Sequence, residues 1–395
     1  MTRWAVVGAG TAGCVMAARL AEAGHEVTLI EAGGAAADLF PGPFARGRGI
    51  GGSSAVNGML ATPGDFDQYE QWGWHDAADA LARVRVPLEV TADDELGPLD
   101  HALLAAAPDA VKATLSRRGG RPITDAEAYL SGMAVTVLAD ADATRVQLDG
   151  RRAVGVELAD GPTVAADAVV VSAGAIGSPI LLTASGVDAP GIGQGLQNHP
   201  GLPITVQLRD GAGVGRRVVP GTLLRRGDLQ LVPLGDVLLV MVMAPTGTGE
   251  VRDSPGGAVV DQVLDDHDLE RLAAGLALAR DILAHPAMRA VVAGFEVGTA
   301  PDLVYHPTST CRMGVVVDGD GAVIGYDGLY VADASVFPSI PHTNTYLPTL
   351  MLAELLAARL TGSVLQMPPD RATSEGQNGL TRRRAAPPST AAAGP

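Results

Sequence analysis

The chain is short of positive charge. Its 28 Lys and Arg face 44 Asp and Glu, a net charge of −16. Nucleic acid and anionic membrane surfaces attract basic patches, so neither is expected as a partner. Lysine is nearly missing, with Lys112 the only one. With abundant alanine, that bias reads as a GC-rich coding sequence and not as a functional signal. Cysteine is scarce too. Cys14 and Cys311 lie far apart inside apparent motifs, which excludes a disulfide framework and fits a reducing, cytoplasmic location. The longest apolar run, Val237 to Pro245, is far short of the roughly 20 residues that cross a bilayer, so no membrane span is expected. The first apolar strand starts close to Met1, so no export signal is expected ahead of it. No internal repeat is visible, and no metal is expected.

Apolar residues are plentiful, at 47% of 395, enough for a real core and two domains. The strongest signal is residues 5–34, AVVGAGTAGCVMAARLAEAGHEVTLIEAGG. An apolar run leads into Gly8, Gly10 and Gly13. An amphipathic stretch follows to about Gly24, then a second apolar run ends in Glu31. Strand, turn, helix, strand and acidic residue stand in order and at the right spacing for a dinucleotide site. Gly8 allows the tight turn, Gly10 lets a pyrophosphate approach the backbone, and Gly13 lets helix and strand pack closely. The helix N-terminus offers free N–H groups and a positive dipole end. Glu31 is placed to accept hydrogen bonds from a ribose.

Further along, residues 41–64 form a glycine-rich loop region with Gly47, Gly49, Gly51, Gly52 and Gly58. Such a stretch is either a flexible loop or a place where backbone amides approach a cofactor. Ser53, Ser54 and Asn57 argue for the second. A short helical pattern lies near His101 to Leu115. Val135–Leu138, Arg145–Leu148, Ala153–Leu158 and Thr163–Val171 read as strands, with Asp149-Gly150 and Asp160-Gly161 as hairpin turns. Residues 172–179 read as a turn into a helix from Ile180 to Ser185. Leu202–Leu208, Leu229–Val232 and Val237–Ala244 read as strands. Asp268–His285 reads as an amphipathic helix stopped by Pro286, and Thr349–Leu360 as a last helix. The tail, 366–395, is rich in Pro, Ala, Arg, Ser and Thr, and is expected to be disordered.

Two late segments carry polar chemistry outside any periodic pattern. One is Tyr305-His306-Pro307-Thr308-Ser309-Thr310-Cys311-Arg312-Met313-Gly314. The other is Asp333-Ala334-Ser335, followed by His342-Thr343-Asn344-Thr345. Gly328 to Val331 reads as a buried strand with Asp333 at its C-terminal end, where open α/β sheets bind ligands.

Together these segments resemble the glucose–methanol–choline (GMC) oxidoreductases, which are FAD-dependent. Gly51-Gly52-Ser53-Ser54-Ala55-Val56-Asn57-Gly58 resembles the family's first signature. Gly174 to Pro179 with Ser185-Gly186-Val187 is similar to its second. Gly193 to Pro200 resembles its G-x-x-L-x-D-H-P, with Asn198 in place of Asp. The resemblance runs from residue 1 to about 362. It implies an α/β fold: a Rossmann-like FAD-binding domain with a reduced α+β substrate domain on an antiparallel sheet. The FAD domain would be discontinuous, from 1–64, 125–200 and 300–365, and the substrate domain would come from 65–124 and 201–299.

By position, the resemblance implies His306 and Asn344 as the catalytic pair. It implies a cofactor site of Gly8, Gly10, Thr11, Ala12, Gly13, Glu31 and Ala32, then Gly51, Gly52, Ser53, Ser54, Asn57, Gly58 and Met59. Ala143, Ala173, Gly174, Asp333, Ala334, Asn344 and Thr345 complete it. Some members bind FAD covalently through a histidine just before that asparagine. Val56 stands there, so non-covalent FAD is expected. The implied reaction oxidises an alcohol, small or bulky, with His306 as base and oxygen or another acceptor taking the electrons. His342 reads equally as a substrate contact or a plain loop histidine. Members usually exceed 500 residues, and the shortfall here falls on the substrate domain. A more open pocket is therefore expected, suited to a bulky secondary-metabolite or peptide-linked alcohol, or completed by a partner or a second subunit. An FAD-containing lyase and a non-catalytic flavin-binding homologue are the alternatives. A NAD-dependent dehydrogenase would give segments 47–58 and 328–338 nothing to do.

Overall fold

The computed structural model describes residues 1–40, 45–212, 220–255, 257–262 and 264–363. The expected disordered tail and residues 41–44 of the glycine-rich loop lie outside the described residues.

Short runs of Val, Leu and Ile form a five-stranded parallel sheet. Its order is Leu329–Val331, Ala168–Val171, Arg3–Val7, Glu26–Ile30, Val135–Leu138. The central strand pairs Val6 with Val170 on one side and Leu29 on the other. Ala5, Val6, Val169, Val170 and Val171 are wholly buried, as expected for a parallel sheet covered on both faces. Helix α1 (Thr11–Glu22) returns from the first strand to the second. Its buried face is mostly small, with Gly13, Cys14, Ala17 and Ala18, so the helix lies close to the sheet. A second helix, α2 (Gly174–Ala184), leaves the fourth strand, and the last, α4 (Tyr346–Thr361), packs on α1. Both cysteines are buried and unpaired.

The second layer is a seven-stranded sheet. Antiparallel pairs join Val292–Val297, Pro200–Leu208, Val237–Val242, Leu229–Leu234, Thr222–Arg226 and Val111–Lys112 in that order, with Asp302–Leu303 beside Pro200–Leu208. Helix α3 (Asp266–Ala284) covers one face, burying Leu272 and Ala279 against Leu229, Leu231, Leu238 and Val240. The Asp265 carboxylate caps it by accepting from the Asp268 N–H.

Several expectations are corrected. The helix near 101–115 spans only Pro98–Ala106. Ala107 is extended ahead of Pro108, and Val111–Lys112 and Thr114–Arg118 are strands. The single strand expected over 163–171 is two, Val164–Ala165 and Ala168–Val171, which belong to different sheets. The turn expected over 172–179 is mostly helix, because α2 begins at Gly174 with Pro179 inside it. A proline at 179 cannot donate to the Ala175 carbonyl one turn earlier. The Thr310 hydroxyl donates to that carbonyl instead (2.7 Å), which removes the cost of the missing bond. Helix α4 likewise starts three residues earlier than expected, with Pro348 in its first turn, where an N–H has no intrahelical partner anyway.

Candidate active site

A cavity of about 950 Å³ opens beyond the C-terminal ends of the parallel strands and is closed on its far side by the antiparallel sheet. Val7, Ile30, Ser172 and Asp333, at or just past four of those strand ends, all line it. This is where an open α/β sheet binds its ligands. Every cofactor-binding residue expected from sequence lines this cavity except Gly13, Gly51 and Ser54, and so do His306 and Asn344. The three exceptions hold the cradle together. A Cβ on Gly13 would sit 1.8 Å from the Gly8 carbonyl oxygen. Gly51, at φ +100°, donates its N–H to the Ala9 carbonyl. The Ser54 hydroxyl donates to the Gly51 carbonyl and accepts from the Asp125 N–H.

At the glycine turn, a Cβ on Gly10 would meet nothing within 4 Å, so the space over the turn is open. The first hydrogen bond of α1 runs from the Cys14 N–H to the Gly10 carbonyl. The amides of Thr11, Ala12 and Gly13 therefore have no partner within the helix, which suits a phosphate group. Glu31 is more committed than its sequence position suggested. Its Oε2 accepts from the Ala9 N–H (2.8 Å), and its Oε1 accepts from the Gly33 and Gly49 N–H groups (2.9 Å each). A carboxylate has about four acceptor sites, so capacity for a ribose hydroxyl remains on Oε2.

Asp333 plays a similar joining role. Its Oδ2 accepts from the Gly174 N–H and the Ser178 hydroxyl, and its Oδ1 from the Ser335 N–H. This fixes the end of strand Leu329–Val331 to the start of α2. Burial raises the Asp333 carboxyl above its ordinary range, and these donors oppose the rise. Met59 takes a left-handed φ of +61°, with its N–H donated to Asn57 Oδ1 (2.9 Å). A strained non-glycine residue lining a cavity is a common mark of a functional site. Val56 lines the cavity as well.

The same cavity carries the polar pair. His306 Nδ1 lies 2.9 Å from His199 Nδ1, and His199 Nε2 lies 3.0 Å from the Pro341 carbonyl. The carbonyl only accepts, so His199 Nε2 carries a proton. Burial, and then the neighbouring His306, hold His199 well below the usual imidazole range, so it is neutral and its Nδ1 accepts. His306 Nδ1 must therefore carry the proton, and His306 Nε2 is left as a bare base. Burial pushes His306 down to about 4, so the ring is neutral at ordinary pH. Its backbone N–H is donated to Asn198 Oδ1 (3.0 Å), so this asparagine anchors the loop. Asn344 Oδ1 accepts from Gln230 Nε2 (3.0 Å), which leaves the Asn344 amide as a donor toward the cavity.

Sequence reasoning passed over His199, Gln230 and Asp125. His199 lies inside the Gly193–Pro200 motif, but nothing local shows that its ring meets His306. Gln230 is a lone polar residue in an apolar strand, a signal that was available. Asp125 is wholly buried beneath the glycine turn, accepts from the Tyr346 hydroxyl (2.7 Å), and is pushed up to about 6 by burial. His342 does not line the cavity. Arg225 donates to its carbonyl, and its N–H goes to Gln68 Oε1. Among the described residues no group of His, Cys, Asp and Glu is arranged to hold a metal ion, and no helix is long and apolar enough to cross a membrane.

Comparison with known proteins places this geometry. The description GMC oxidoreductase matches residues 112–201 with its N-terminal part and 245–353 with its C-terminal part. A NAD(P)-binding Rossmann-like domain matches residues 6–37. The oxygen-dependent choline dehydrogenase of Pseudomonas fluorescens is 26% identical over 528 aligned positions, covering 90% of this chain and 93% of that one. The relative thus carries segments that this shorter chain lacks. In fold, the chain is similar to pyridoxine 4-oxidase from Mesorbium loti (TM-score 0.82, 23% identity, covering 91% of this chain and 99% of that one). It is also similar to an FAD-dependent oxidoreductase from Chaetomium thermophilum (TM-score 0.82, 16% identity, covering 92% and 99%). The chain belongs to the GMC oxidoreductase family, an enzyme family of FAD-dependent oxidoreductases.

Proposed function

We propose that the protein oxidises the CH–OH group of an alcohol to a carbonyl, with FAD in the cavity and His306 as the base. The observation that carries this reading is that one cavity is lined both by an open glycine turn and by a bare imidazole nitrogen with an amide donor. FAD, when bound, would accept the hydride from the carbinol carbon. The chain supplies the rest. His306 Nε2 takes the hydroxyl proton, and the Asn344 amide donates to the oxygen as alkoxide character develops. The cofactor half would be built from 1–64, 125–200 and 300–365, and the substrate half from 65–124 and 201–299. The test is anaerobic: an alcohol should bleach a yellow holoprotein. Protein that takes up no FAD, or flavin that no alcohol reduces, overturns the reading.

With Val56 at the position where some relatives carry a linking histidine, the flavin should be free. Acid or heat should release all of it into the supernatant, and colour left on the precipitated chain would contradict this.

His199 acts through His306 as a positioning residue. His199→Ala leaves the His306 N–H without its acceptor, at a cost of about 1–3 kcal/mol, and lets the ring choose the wrong tautomer. The rate of flavin reduction should drop on the order of 10-fold or more with little change in KM. His199→Gln keeps an acceptor and a donor in roughly the same places and should restore most of the loss. The pH profile follows from burial. His306 is active when neutral and titrates near 4, so kcat/KM should be level above about pH 5 and fall as pH drops through 4. A limb near 6.5 in the wild type would mean that burial does not depress this imidazole. In His199→Ala the limb should move, whereas a merely structural defect would lower the whole curve.

A further inference from the structure

The seven-stranded sheet is apolar on both faces, yet helix α3 covers only one. Side chains alternate along a strand. On strand Leu229–Leu234 and its partner Val237–Val242, residues Leu229, Leu231, Leu238, Val240 and Val242 pack toward α3. The alternate set, Val232, Leu234, Leu239 and Met241, turns to the cavity, with Val232 directly opposite Leu239. Leu60 and Val304 extend this wall. Antiparallel sheets usually show polar residues on a face that meets water. Here the only polar side chain in that row of Leu229–Leu234 is Gln230, which is wholly buried with its Nε2 donated to Asn344.

The charged residues that line the cavity are Glu31, Arg46, Arg48, Asp142 and Asp333, all from the segments that form the dinucleotide end. Among the described residues the wall itself carries no charge and no aromatic ring. Two tyrosines line the cavity away from this wall: Tyr305, with 64% of its surface exposed, and Tyr346, whose hydroxyl is tied to Asp125. His306, neutral at ordinary pH, is no counter-ion.

We propose that this site takes an uncharged, apolar alcohol and discriminates against quaternary-ammonium alcohols such as choline, a statement that rests on the alcohol-oxidation reading above. A cation leaving water needs a carboxylate or an aromatic face to replace its hydration, and this wall offers neither. Apolar carbon gains by leaving water against the same surface.

The test uses the holoenzyme with choline and 3,3-dimethylbutan-1-ol, which share a shape and differ by one N⁺ for C. Binding is read from perturbation of the flavin spectrum, and turnover from anaerobic bleaching. The neutral alcohol should bind at least about 10²-fold tighter. Along linear primary alcohols from propanol to hexanol, each added CH₂ should raise affinity about threefold to fourfold. Choline binding as tightly, a flat series, or preference for an anionic hydroxy acid overturns the inference. Selective binding of the neutral alcohols, with no alcohol of the series bleaching the flavin, leaves the inference standing and overturns alcohol oxidation. Leu234→Glu supplies the missing counter-ion and should shift the binding ratio at least about 10-fold toward choline. Leu239→Glu asks the same from the facing strand if the first variant loses its flavin. An unchanged ratio in a yellow variant means this face is not the substrate wall.

Discussion

His306→Ala is expected to slow anaerobic flavin reduction by an alcohol roughly 10²- to 10⁴-fold, the range for loss of a positioned general base. Three features make the effect large and specific. The ring has a single free nitrogen, because Nδ1 is tied to His199, so no second site on it can take over. Burial keeps it neutral, so nearly every molecule is competent at ordinary pH. No other titratable side chain from the 305–314 segment lines this end of the cavity beside it except Tyr305, whose phenol is a poor base near neutrality. Flavin content should be unchanged, since the hydrogen bonds of His306 go to His199 and Asn198 and not to the glycine turn or Glu31. His306→Gln is the sharper variant. Its amide can keep the hydrogen bond to His199 and hold the loop, yet it cannot accept a proton. If His306→Gln reduces its flavin at the wild-type rate with the true substrate, the base lies elsewhere.

The cofactor end was legible in the sequence because its signals are local. Gly8, Gly10, Gly13 and Glu31 fall within one βαβ unit, and the turn, helix and strands around them follow from hydrophobic period and glycine placement. The same is true of Asp333, which follows an apolar strand directly. The proposed base and its orientation were legible only by halves. His306 could be singled out, but the residue that sets its tautomer lies 107 positions earlier, on another element. No periodicity reports a contact of that kind. The donor to Asn344 is hidden similarly, 114 positions away. Helix α2 shows the opposite failure, in which a local rule is correct but overridden. Pro179 does remove a helix bond, and the sequence alone therefore favours a later start. The Thr310 hydroxyl satisfies the freed carbonyl from a distant loop, so the helix runs through. The apolar wall was visible as strands, but not as a wall. Which of two apolar faces meets a helix and which meets a cavity depends on packing that no single strand encodes.

Glu31→Gln is expected to be nearly as damaging to cofactor binding as Glu31→Ala, although it keeps the size and shape of the side chain. The carboxylate accepts from three backbone amides that belong to three separate segments: Ala9 in the glycine turn, Gly33 after the second strand, and Gly49 in the loop leading to the second glycine cluster. An amide retains one acceptor oxygen but places an NH₂ where the other oxygen stood, donor against donor. If the oxygen faces Gly33 and Gly49, the NH₂ meets the Ala9 N–H. If it faces Ala9, two amides are opposed. Hydrogen bonds to a charged group contribute about 1.5–3 kcal/mol each, and loss of one or two of them, with a buried N–H left unsatisfied, amounts to about 3–4 kcal/mol. On that scale thermal unfolding of the cofactor-free protein should shift down on the order of 5 °C, and FAD affinity should fall about 10-fold or more as the cradle loses its shape. Both readouts are needed. A ribose contact alone would predict weaker FAD binding with an unchanged apoprotein, because nothing in the empty cavity would depend on the charge. A clamp on three segments predicts that the apoprotein weakens as well, since Gly33 and Gly49 are close-packed around it, with a Cβ on Gly33 only 2.5 Å from the Gly49 nitrogen. Unfolding temperatures that match the wild type in the absence of FAD would reduce Glu31 to the ribose acceptor its sequence position suggests. A lowered value would make it the tie that shapes the cradle before any cofactor arrives.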